Sequence, residues 1–236
     1  LALTAHVAEP SEANLAQVEL QADRALRHTL VAAQKPRMER VEMARRLARW
    51  LMNGTPTVSS LQAAVAWQSD QGAFVDWARF RLLGGDELPD LSQAYSACRE
   101  AVIVRRNAFA KPFSQALVQW NAQKPAPDGR IIPLESVLEH VLAPIAAAHP
   151  TLLLVMDGLS TSIFRELFAR IASQGWAEMV PSSLGQPLAG VAALPTITEV
   201  SRASLLCGRL TIGASAQEKT GFATNAALLA HSRADA

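Results

Sequence analysis

Two residues whose types suit phosphoryl chemistry stand where an apolar run gives way to a polar turn. Asp157 closes the run in "TLLLVMDGLS" (151–160), and Thr198 lies in "LPTITEVSR" (194–202), where a second run passes into a helix. In a parallel sheet all strand C-termini share one edge, so two such junctions can face one crevice. A carboxylate there can ligate a divalent cation, and a hydroxyl on that cation becomes an alkoxide nucleophile. The start of the following helix adds unpaired N–H groups and a positive dipole end, which suit a phosphate. Each residue also has a plainer use. Asp157-Gly158 is ordinary turn chemistry, and Thr196 with Glu199 is an ordinary capping box.

The elements that must position these residues read as strand, helix, strand, loop, strand, helix. The run 152–156 is expected to be a buried strand. "STSIFRELFARIASQGW" (160–176) predicts an amphipathic helix with Phe164, Leu167, Phe168 and Ile171 on one side and Gly175 as its stop. "WAEMV" (176–180) and "GVAALP" (190–195) are the second and third expected strands, and "TITEVSRASLLCG" opens a helix that Gly208 closes. That rhythm predicts a parallel α/β sheet with flanking helices.

Ahead of it the chain reads as all helix. Ser11 is an expected N-cap for a helix from residue 12. In "PRMERVEMARRLARWLMNG" (36–54), Met38, Val41, Ala44, Leu47, Ala48 and Leu51 form an apolar stripe, and Asn53-Gly54 supplies a stop. Two shorter helices are expected near 59–70 and 74–83, then a longer one from about Leu91, broken or kinked at Pro112. "NAQKPAPDGR" (121–130) is the linker candidate. After it, "IIPLESVLEHVLAPIAAAHP" (131–150) predicts a helix with Pro133 near its first turn and Leu134, Val137, Leu138, Val141 and Leu142 inward. The expected organisation is therefore an all-helical domain over 1–130 and an α/β domain over 131–236.

"LLLVMDGLS", then "ALPTITEVSRASLLCGRL", then "EKTGF" together resemble the start of a PglZ domain. That domain belongs to the alkaline-phosphatase superfamily and is known from bacterial phage-defence systems of the BREX (phage growth limitation) type. "PTITEVSRASLLCG" also resembles the nucleophile motif of nucleotide pyrophosphatase/phosphodiesterases. The resemblance implies a fold whose α/β part is the first portion of an alkaline-phosphatase-like, mostly parallel sheet. It implies Asp157 as a metal ligand and Thr198 as the metal-bound nucleophile, with two Zn²⁺ (or Mn²⁺) ions in the complete domain. Ser201 stands where the phosphodiesterases have a substrate-binding Asn, and Arg202 beside it offers either a cation to a phosphate or a solvated helix face. The superfamily's further Asp and His ligands, among them an Asp-His-Gly-like run, do not follow Thr198 here. The chain is accordingly expected to be an N-terminal portion of a longer protein, inactive alone.

The function this implies is hydrolysis of a phosphate mono- or diester in anti-phage defence, with other defence proteins as partners. A scaffold that keeps a phosphatase-like fold for its shape is the rival. Twenty-two basic residues against twenty-one acidic give a net charge of +1, which argues against a polyanionic partner for the chain as a whole. Lys35, Arg37, Arg40, Arg45, Arg46 and Arg49, with Arg105, Arg106 and Lys111, could meet a DNA backbone or could simply form a solvated face. Trp50, Trp67, Trp77 and Trp120 fit packing positions better than base-stacking platforms. Cys98 and Cys207 form no metal-ligand pattern and are expected to be reduced, which favours a cytoplasmic setting. No apolar run approaches the ~18 residues that span a bilayer.

Overall fold

The computed structural model describes residues 1–28, 31–54, 57–123, 130–182, 184–185 and 187–231. It is mostly helical, with one two-stranded parallel sheet. The chain resolves into two compact units, Leu1–Ala122 with Ser160–Leu167, and Gln123–Leu159 with Phe168–Ala236. Most of the expected linker, 124–129, lies outside the described residues. Among the described residues no helix is long and apolar enough to cross a membrane.

The helical unit contains α1 (Ala2–Ala8), α2 (Glu12–Leu26), α3 (Lys35–Met52), α4 (Leu61–Trp67), α5 (Ala73–Arg81) and α6 (Pro89–Ala122). Local chemistry sets several of the ends. The Ser11 hydroxyl accepts from the Asn14 amide at 3.3 Å, and Ser60 accepts from Ala63 at 3.1 Å, so each N-cap satisfies a donor that the helix cannot. Pro36 sits in the first turn of α3, where its missing N–H costs nothing, and Asn53 is the C-cap. On α3, Ala44, Leu47, Ala48 and Leu51 are buried as the stripe predicts, and Met43 and Trp50 join them.

These side chains pack with Val75, Tyr95, Cys98 and Val102 into one sealed core. The two short helices expected near 59–70 and 74–83 are instead joined by a π-helical turn over Gln68–Gly72. Gly72 permits that wide turn, because a Cβ there would collide with the Gln68 side chain. α6 runs unbroken through Pro112.

Several basic residues of this unit are paired within it. Arg45 pairs with Asp23 at 2.9 Å and with Glu42, Arg49 pairs with Glu19, and Arg37 reaches Asp86 at 2.7 Å. Arg106 pairs with Asp76 at 2.9 Å and also lies over the Trp67 and Phe109 rings. Arg105 donates to the Leu51 carbonyl at 2.5 Å, close to the end of α3. Trp50 is buried in the core, and Trp67 stacks at a tilt on Phe109 with centroids 4.5 Å apart.

In the second unit, β1 (Ile131–Pro133) pairs in parallel with β2 (Ala189–Val191), with Ile132 opposite Gly190. The second unit also contains α7 (Ala143–Ala148), α9 (Thr198–Cys207), α10 (Ser215–Ala223) and α11 (Ala226–His231), and α8 (Thr161–Ala172) is divided between the units. The helix expected from residue 131 starts later. Ile131 and Ile132 are β-branched and almost fully buried, and they form a strand that Pro133 ends.

Two expected strands are corrected. Residues 152–156 and 176–180 are irregular, and Leu152, Leu154 and Met179 are 86%, 69% and 88% exposed. A strand exists only with a neighbour to bond to, and among the described residues no backbone ladder reaches either segment. Of the third expected strand, 190–195, only Gly190 and Val191 lie in β2, and 192–195 are irregular. α8 forms as expected and Gly175, at φ +90, follows it; on its apolar side Leu167, Phe168 and Ile171 are half-buried and Phe164 is exposed. α9 ends as predicted, on Gly208 in the left-handed region at φ +64.

Candidate functional site

Asp157 and Thr198 meet. Asp157 opens a turn with Gly158, whose φ of +72 needs a residue without Cβ, so the plain turn reading is correct as far as the backbone goes. The side chain has a separate use. Thr198 is the first residue of α9, and its Oγ1 donates to Asp157 Oδ2 at 2.9 Å. The capping box on Thr196 does not form, because the N-cap is Ile197 and no side chain caps this end.

Arg202 stands one helical turn beyond Thr198, on the same face of α9. Its Nη1 lies 3.4 Å from the same Asp157 oxygen, and its Nε donates to Glu218 Oε1, on α10, at 3.0 Å. Side-chain exposure falls from 44% at Asp157 to 34% at Arg202 and 7% at Glu218, so the row runs from solvent into the interior. The Arg202 guanidinium is held above its ordinary pKa, first by the Glu218 hydrogen bond and then by the negative charges of Glu218, Asp157 and Glu199. It is a permanent cation beside the hydroxyl–carboxylate pair.

Ser201 is placed differently. Its Oγ donates to the Ala193 carbonyl at 2.9 Å, tying α9 to the segment ahead of it. The structure thus gathers three of the four residues singled out, and the fourth has its hydroxyl proton committed to the backbone. Glu218 was not foreseen. It sits in the "EKTGF" stretch, and its only advance signal was being the one acid of that helix.

As a metal centre the cluster falls short. Asp157 and Thr198 offer two oxygens, where a divalent ion takes at least four ligands, and a guanidinium already sits on the carboxylate. Among the described residues no group of three or more His, Cys, Asp and Glu side chains could hold an ion. What the cluster offers by itself is a hydroxyl aligned on a carboxylate, a fixed cation beside it, and the amino-terminal end of a ten-residue helix. Comparison of the chain with protein-family models, curated proteins and solved structures gives no match.

Proposed function

We propose that this chain carries the nucleophile side of a phosphoesterase of PglZ type, and that its second unit is the first part of an alkaline-phosphatase-like α/β domain. The setting proposed with it is bacterial phage defence in the cytoplasm. The observation that supports the chemistry is the 2.9 Å hydrogen bond from Thr198 Oγ1 to Asp157 Oδ2, made across the chain at the start of a helix. It rests also on the PglZ-like order of "DG", "PTITEVSR", "CGRL" and "EKTGF".

In this reading Thr198 Oγ attacks phosphorus as its proton passes to Asp157, and the P–O bond to the leaving alcohol breaks opposite the attack. The alcohol leaves with a proton from solvent. Water then cleaves the phosphothreonine and releases inorganic phosphate or a monoester. Arg202 and the first N–H groups of α9 hold the nonbridging oxygens, where charge accumulates in the transition state. Ser201 braces the helix rather than touching substrate. A divalent cation such as Zn²⁺ or Mn²⁺ would supply charge neutralisation, and Asp157 and Thr198 would give it two of its ligands, with the others needed from outside this cluster.

The test is hydrolysis of bis(4-nitrophenyl) phosphate and 4-nitrophenyl phosphate, with Zn²⁺ or Mn²⁺ present, by the protein expressed from its complete reading frame. Thr198→Ala and Asp157→Ala should each lower turnover by about a hundredfold or more, since one removes the nucleophile and the other its proton acceptor. Full turnover in either variant rejects the assignment. The scaffold reading has its own support in the Arg202 contact to Asp157, which neutralises the carboxylate with no ligand present. It predicts no turnover and no phosphate binding by the unaltered protein.

A further inference from the structure

Glu218 is the most deeply buried carboxylate of this cluster, and burying a charge is costly unless a partner compensates it. Its partner is Arg202 Nε, at 3.0 Å. Arg202 has five N–H donors in a rigid planar fork. Nε goes to Glu218 and Nη1 to Asp157, and among the described residues Nη2 has no protein acceptor. Glu218 holds the guanidinium at Nε and Asp157 holds it at Nη1, on the opposite side, which leaves Nη2 between them, with the side chain one-third exposed.

We infer that Glu218 is a positioning residue for phosphate recognition: it fixes the plane of the Arg202 guanidinium so that the Nη2 group, which has no acceptor among the described residues, is presented on the Thr198 side of α9 to an incoming phosphoryl oxygen. The inference rests on the phosphoesterase reading for its ligand. A free arginine side chain loses rotamer freedom when it binds an anion, and one already held loses less, so the clamp binds more tightly for being fixed in advance. A bidentate Arg–phosphate contact also demands a defined plane, which a single bond to the exposed Asp157 cannot enforce. Glu218 can enforce it because its own position is set. It follows Ala214 in the first turn of α10, and the loop leading there is anchored to α9 by the Gly213 amide on the Glu199 carbonyl at 2.9 Å.

The ion pair could instead serve only to join α9 to α10, and the experiment separates the two roles. Dissociation constants for inorganic phosphate are measured by NMR titration for the unaltered protein and for Arg202→Gln, Glu218→Gln, Glu218→Asp and the double Arg202→Gln/Glu218→Gln variant. Arg202→Gln should weaken phosphate by about 10–100-fold, the span of a charge-assisted hydrogen bond. Glu218→Gln, though it never touches the ion, should weaken it by about 3–10-fold, as expected for a held side chain set loose. Glu218→Asp keeps the buried charge matched and should fall between Glu218→Gln and the unaltered protein, which keeps the test open should the Gln variant not fold. In the Arg202→Gln background the Glu218 substitution should have no further effect. Phosphate affinity unchanged in folded Glu218→Gln or Glu218→Asp overturns the inference, as does an equal loss in the presence and absence of Arg202. No phosphate binding by the unaltered protein overturns the phosphoesterase reading itself and the inference with it.

Discussion

In the helical unit several arginines end on acids around a buried apolar core, whereas in the second unit the apolar run before Asp157 faces solvent and Asp157, Arg202 and Glu218 meet at one junction. Arg45, Arg49, Arg37 and Arg106 are each taken up by acids of their own unit, over a core that includes Leu47, Val75, Tyr95 and Val102. The second unit has a sheet of two three-residue strands, and the run before Asp157 stays exposed. Its cross-chain polar contacts include the row Thr198–Asp157–Arg202–Glu218. The difference teaches that a dense set of ion pairs marks support rather than chemistry. The informative charges are those that leave a donor unused beside a reactive group.

The contrast is sharpest in stability. Leu47→Ala should destabilise the helical unit by about 2–5 kcal/mol, because it opens a cavity in a core that cannot collapse around it. Leu154→Ala, which removes an exposed side chain, should stay within about 0.5 kcal/mol. Denaturant unfolding followed by circular dichroism reads both, and a comparable loss at Leu154 would erase the distinction drawn here.

Alkaline pH should act on the helical unit. Burial pushes the Tyr95 phenol up to about 12 and the Cys98 thiol up to about 12, so both keep their protons in the folded state where the unfolded chain releases them. Their contribution is whole below about pH 9 and is lost as pH rises toward about 12. Tyr95→Phe should flatten the fall of melting temperature with pH over that window, and it sacrifices no hydrogen bond, since the hydroxyl has no partner among the described residues. An unchanged slope would show that the phenol titrates normally.

A smaller effect than that of Leu47→Ala is expected in the second unit and tests backbone geometry there. Gly208→Ala puts a Cβ on a residue at φ +64, 2.5 Å from the Asn225 amide nitrogen, and should cost about 1–2 kcal/mol. A neutral outcome in thermal melts would mean that this helix end relaxes freely.

How much the sequence revealed follows the range of the interaction involved. Ser11, Asn53 and Gly208 were readable because a cap depends on a few adjacent residues. The α3 stripe was readable because periodicity is a local record of burial. Strands were misjudged at 152–156 and 176–180, since apolar content says nothing of whether a neighbour is present to complete the ladder. Ile131–Pro133 was misjudged the other way, its proline resembling a helix start when its two isoleucines had a distant partner. The meeting of Asp157 with Thr198 was foreseen from two strand-to-helix junctions on one sheet edge, yet those residues meet without the first strand having formed. Glu218 could not be foreseen, because its significance lies in burial and in an arginine on another helix.

The hydroxyl of Ser204, fully buried on α9, accepts from the Thr211 amide at 3.1 Å and donates to the Thr211 carbonyl at 3.2 Å. With the Gly213 bond to Glu199, the loop after α9 is stitched back along the helix it has just left, almost to Thr198. It acts as a splint. A tilt of α10 cannot be absorbed in that loop and must carry the first turn of α9 with it, so the buried acid and the alcohol move as one rigid piece and only the Asp157 turn is left to adjust against them.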